Sequence, residues 1–141
     1  WGPESLRRPV AALWEMLMMD HVARVRSAAA ASLMQTLRIN RDPSGAILEA
    51  WEKLLSTLID LNVATRGPGR PTRNPIKILE QLKRAGVATH SFLEATEGLL
   101  SIRNEVAHGE IEPTVGFSRT YVDRAAQIQK VAERLLPGGS K

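Results

Sequence analysis

The chain has 141 residues, 43% of them hydrophobic and 24% charged, with no cysteine and a formal charge of +4. That length suits one domain with an adequate core, the composition excludes disorder, and the missing cysteines exclude disulfides, thiolate metal sites and a cysteine nucleophile. Aromatic residues are only 4% while Leu and Ala abound, which favours an all-α bundle over a sheet, and the mild basicity admits a polyanionic partner without requiring one.

Five helical stretches can be read, with no alternating strand and no internal repeat. The first begins near Pro9, a residue tolerated at a helix start, and runs to about Leu37. Val10, Trp14, Leu17, His21, Val25, Ala28 and Ala31 recur along it at steps of three and four, and the Ala28–Ala31 run allows close helix approach. This spacing predicts a core or dimer-packing helix. Its nearly apolar stretch, Ala11–Met19, contains Glu15 and is too short to span a bilayer. Arg7 and Arg8 precede that stretch, but no cleavage region of small residues follows it cleanly. Because the first residue is Trp1 rather than Met, the chain is expected to be a segment of a longer protein. Residues 1–41 are read as an N-terminal helical extension.

Asp42-Pro43 supplies an N-cap and a first-turn proline for a second helix reaching about Val63. Its apolar stripe is Ile47, Leu48, Trp51, Leu54, Leu55, Leu58 and Leu61. Arg66-Gly67-Pro68-Gly69-Arg70-Pro71-Thr72-Arg73 breaks any helix and reads as an exposed basic loop. Asn74-Pro75 repeats the cap-plus-proline signal and opens a short third helix that ends near Ala85-Gly86. Ser91-Phe92-Leu93-Glu94 has capping-box spacing and predicts the start of a fourth helix, which carries Phe92, Leu93, Leu99, Leu100, Ile102 and Val106 and stops at Gly109. A linker through Pro113 and Gly116 leads to a last helix over residues 118–136, and residues 137–141 read as a flexible tail.

The chemistry is concentrated in Arg103-Asn104-Glu105-Val106-Ala107-His108. Asn104 and His108 are four apart and neighbour one another on a helix, while Arg103 lies about 100° round from Asn104. A cation, an amide and an imidazole thus gather at one helix end, where the negative end of the helix dipole favours the imidazolium. Arginine can hold phosphate oxygens bidentately and stabilise charge developing on phosphorus. Histidine can move protons near neutral pH, and asparagine can position a phosphate or orient the ring. No metal is needed, and His21, His90 and His108, the three histidines, are too widely spaced to form an obvious metal cluster.

The segment Leu99-Leu100-Ser101-Ile102-Arg103-Asn104-Glu105-Val106-Ala107-His108-Gly109 resembles the signature of HEPN domains: an arginine, a polar residue, a short spacer and a histidine late in a helix of an α-helical bundle. The resemblance covers about residues 42–136. It implies an all-α, HEPN-like bundle of about five helices, here preceded by the long N-terminal helix. It also implies a metal-independent endoribonuclease, free of cofactors, that forms a homodimer in which two motifs meet in a cleft. Arg103 and His108 would then be catalytic and Asn104 supportive. RNA, and a protein antitoxin or regulator in a cytoplasmic defence system, are the partners that follow. Arg84 to His90 satisfies the loose spacing as well, but across the Gly86 break and with no polar residue after the arginine.

Each residue also has an ordinary structural reading. His108 could cap the helix, Arg103 could pair with Glu97, Glu110 or a carboxylate on another helix, and Asn104 could bond to a neighbouring backbone. Arg66, Arg70, Arg73 and Lys77 could follow a phosphate backbone, giving nucleic-acid binding without catalysis. Gly69-Arg70-Pro71 resembles the core of an AT-hook, although the flanking spacing departs from it. A further alternative is a non-catalytic interaction or oligomerisation module, the cytosolic part of a larger regulatory or membrane-associated protein. The first helix, with Trp14, Met16, Met18 and Met19, would then be the docking surface.

Overall fold

A computed structural model describes residues 3–67 and 69–138, with side chains from Val10 onward. Pro68 of the basic loop and residues 139–141 of the expected tail lie outside the described residues. The described residues are all-α: α1 (Pro3–Arg41), α2 (Pro43–Arg66), α3 (Pro75–Ala85), α4 (His90–Ala107) and α5 (Val115–Leu135), with no strand among them. Two compact units result, one ending at Leu37 and the other beginning at Arg38.

The first unit is helical throughout its described length, and every residue from Val10 to Gln35 is exposed. Core packing, one of the two roles its spacing predicts, is therefore not its role in this unit. Met16, Met18, Met19 and Leu33 fall outside the Val10–Ala31 stripe, so its apolar residues surround the helix instead of marking one inward face.

In the second unit α2 is the central element and packs against α3, α4 and α5. Its predicted stripe is its buried face: Ile47, Trp51, Leu54, Leu55, Leu58 and Leu61 are buried and Leu48 is partly so. Each large side chain so buried is worth about 1.5–3 kcal/mol. Asp42 caps α2 by accepting from the Gly45 N–H at 3.0 Å, and Asn74 caps α3 by accepting from those of Ile76 and Lys77. Between these helices the buried Asn62 amide donates to Gln81 Oε1 at 2.7 Å. The Ser118 hydroxyl donates to the Pro43 carbonyl at 2.9 Å, fastening α5 across the start of α2.

Two helix starts differ from expectation. α4 is capped by Thr89, whose hydroxyl accepts from the Phe92 N–H at 3.2 Å, rather than by Ser91. Glu94, expected to reach back in a capping box, instead pairs with His90 at 3.5 Å. α5 starts at Val115 behind Thr114, which accepts from the Phe117 N–H at 3.1 Å, so Gly116 lies in its first turn instead of in a linker. In these places a threonine, two and four residues before the expected start respectively, offers the N-cap oxygen that the third amide of the helix needs.

Candidate functional site at the end of α4

α4 presents the Arg103–His108 segment because of the way it stops. His108 occupies the C-cap and Gly109 adopts a left-handed φ of +72°. The Gly109 N–H donates to the Val106 carbonyl at 3.1 Å, and the Glu110 N–H to the Glu105 carbonyl at 2.8 Å. These paired bonds satisfy two of the orphan carbonyls at a helix end, and glycine takes the left-handed position without the Cβ penalty. Capping therefore falls to backbone groups around His108, and the exposed imidazole has no hydrogen-bond or ion-pair partner among the described residues.

Arg103 is held more closely. It is half-buried, and its Nη1 donates to Asn104 Oδ1 at 3.1 Å. Its Nε is buried with no acceptor, an arrangement that costs about 1–3 kcal/mol. Among the described residues no carboxylate forms an ion pair with it, so the predicted pairings with Glu97 or Glu110 do not occur. Nor does the Asn104 side chain bond to a neighbouring helix. The structure thus joins Arg103 to Asn104 and sets His108 one turn beyond Asn104, hydrogen-bonded to neither side chain. Five helical positions separate Arg103 from His108, which turns their Cα–Cβ directions about 140° apart.

Tyr121 on α5 belongs to the same region and was not anticipated. It is buried and donates its hydroxyl to the Leu99 carbonyl at 2.9 Å. Burial pushes its phenol well above the ordinary tyrosine range, while the Arg103 guanidinium pulls the other way. The phenol is neutral at physiological pH, which makes it a wall beside Arg103 and not a proton carrier. Its one sequence signal was that it is the only tyrosine in the chain.

Ile102 and Tyr121 also line an open groove of about 490 Å³ along the α4–α5 seam. Ala95 and Gly98 keep it wide, and a Cβ at Gly98 would meet nothing within 4 Å. Phe117, Thr120, Arg124 and Gln127 supply exposed groups along it.

The basic residues divide differently. Arg66 turns back to donate from Nη1 to the Arg70 carbonyl at 2.9 Å, and so helps to close its own loop. Arg70, Arg73 and Lys77 are exposed and have no ion-pair partner among the described residues. No group of three or more His, Asp or Glu side chains that could hold a metal occurs among the described residues. Among the same residues no helix is long and apolar enough to cross a membrane.

Compared with known proteins, the chain matches no family model, no curated protein and no solved structure.

Proposed function

We propose that residues 42–136 form a HEPN-like, metal-independent endoribonuclease domain acting as a cytoplasmic defence or toxin effector. The observation that carries this reading is Arg103, a half-buried cation tied to Asn104 and left unneutralised by any described carboxylate. A guanidinium held in that state has its counter-charge to gain from a ligand, and a phosphodiester supplies one with matching bidentate geometry.

In the proposed reaction the His108 imidazole removes the proton from a ribose 2′-hydroxyl. The 2′-oxygen attacks the adjacent phosphorus, the bond to the 5′-oxygen breaks, and a 2′,3′-cyclic phosphate remains. Arg103 stabilises the extra negative charge on the phosphoryl oxygens, and Asn104 fixes the guanidinium that does so. The leaving oxygen takes its proton from an imidazolium. One motif carries a single histidine, so His108 of a second copy supplies that proton in a homodimer. Arg70, Arg73 and Lys77 add salt-dependent attraction for the strand.

The test is cleavage of an end-labelled RNA by the full chain in the presence of a metal chelator. His108→Ala should lose cleavage by at least about a hundredfold while the helical circular-dichroism spectrum is unchanged. Undiminished cleavage by the folded variant refutes the proposal. A second reading, a non-catalytic interaction module, draws on the exposure of α1, and absence of cleavage by the native chain would favour it.

A further inference from the structure

The exposed helix over residues 10–37 lacks a covering surface in its own unit. Trp14 is 64% exposed and Leu17 54%, and helices without a packed face are only marginally stable in water. Its residues are also unevenly distributed by size and charge. Bulky side chains crowd residues 13–19, the small Ala28–Ala31 run follows, Asp20 lies in the first half and Arg24 and Arg26 in the second.

We infer that this helix pairs with the same helix of a second copy, antiparallel and centred near Val22. In that arrangement Leu13 of one copy lies level with Ala31 of the other, at the same angle round the helix, so a bulky side chain fills the space that an alanine leaves. Asp20 of each copy lies level with Arg24 of the other. Val10, Leu13, Leu17, Asp20, Arg24 and Ala28 share less than half of the circumference at 100° per residue, so size and charge complementarity fall on one face. Within a chain Arg24 and Asp20 already form an exposed i,i+4 pair, and the carboxylate retains lone pairs for a second guanidinium. A parallel pair would instead set Asp20 against Asp20 and alanine against alanine, combining repulsion with a gap. The helix spans roughly 40 Å, and a seam of that length withdraws on the order of 700 Å² from each copy, close to the ~800 Å² per partner of a stable association. The inference stands independently of any nuclease activity.

Native cysteines are absent, so single thiols report on the pairing without background. Sedimentation of the full chain at tens of micromolar should show a dimer, and Leu17→Glu should raise the dissociation constant by at least about tenfold. Under mild oxidation, mixed Leu13→Cys and Ala31→Cys proteins should cross-link to each other, and neither should do so efficiently alone. A monomeric native chain, or a Leu17→Glu variant as dimeric as its parent, overturns the proposal. So does Leu13→Cys cross-linking with itself as well as with Ala31→Cys, which would mean parallel helices. RNA cleavage is not read at any step; a monomeric chain would also remove the second histidine of the proposed nuclease, whereas the Leu17→Glu and cross-linking outcomes bear on the helix pairing alone.

Discussion

Two stretches of this chain place an arginine a few residues before a histidine near a helix end: Arg84 to His90 and Arg103 to His108. Each has a glycine in the left-handed conformation, Gly86 at φ +69° and Gly109 at φ +72°. The difference is the order. Gly86 falls between Arg84 and His90, so α3 ends after the arginine and the histidine opens α4, where it pairs with Glu94 at 3.5 Å. Gly109 falls after His108, so arginine, asparagine and histidine remain on one helix and its cap. The place of the glycine, rather than the Arg-to-His interval, decides whether a guanidinium and an imidazole are delivered by the same element. The one with Asn104 beside its arginine also has the half-buried guanidinium; Arg84 is exposed.

The strongest way to break this comparison is to remove each arginine in turn. Arg103→Ala should lower RNA cleavage by about 10²–10³-fold, the loss of about 3–4 kcal/mol of charge stabilisation in the transition state. Arg103→Lys should recover little of it, because an ammonium cannot make the bidentate contact. Arg84→Ala should leave the rate unchanged. Equal losses from the two alanine variants, measured as kcat/KM on one labelled RNA, would remove the distinction.

The glycines sharpen it further. A Cβ at Gly86 or Gly109 would meet no atom within 4 Å, so alanine at either position is opposed only by backbone conformation. Each substitution should cost about 1–2 kcal/mol in chemical denaturation, a consequence of forcing an L-residue into the left-handed region. Only Gly109→Ala should also slow cleavage, since it reshapes the turn that carries His108.

Helix content was legible because its signals were local. Asp42-Pro43, Asn74-Pro75 and Gly109 each act within one turn, and the stripe from Ile47 to Leu61 is the buried face of α2. The cap of α4 was misplaced because Ser91 and Thr89 both offer a hydroxyl near the helix start, and only backbone geometry selects the threonine. α1 was harder still: a three-four periodicity was present, but Met18, Met19 and Leu33 off that stripe signalled a helix without a single inward face. At the candidate site the Arg103–Asn104 contact joins adjacent residues, within reach of sequence reasoning. The contribution of Tyr121 was not, because it depends on how α5 folds back against α4 from across a seven-residue loop.

Tyr121 tests the packing behind the Arg103 pair. Tyr121→Phe should cost about 1 kcal/mol, the net worth of one buried hydrogen bond. Its phenol is raised above the unfolded value, so the neutral form favours folding: that contribution is complete below about pH 10 and is lost as the pH rises further. Thermal melts between pH 9 and 11 should therefore fall less steeply for Tyr121→Phe than for the parent. Parallel slopes would mean that the phenol is not protected by burial.

The smallest effect expected is from His90→Ala, the counterpart of the variant that should abolish cleavage. His90 and Glu94 form an i,i+4 pair whose side chains are 87% and 74% exposed, and such surface pairs are worth between nothing and about 0.5 kcal/mol. Thr89, not His90, supplies the cap oxygen of α4, so alanine at position 90 leaves the helix start satisfied. Stability should then change by less than about 0.5 kcal/mol and the cleavage rate not at all. A large loss of cleavage from this exposed position would mean that the first turn of α4 contacts RNA and that the two Arg–His pairs act together. An unchanged rate, next to the loss in His108→Ala, would assign the chemistry to the helix end where arginine, asparagine and histidine are continuous.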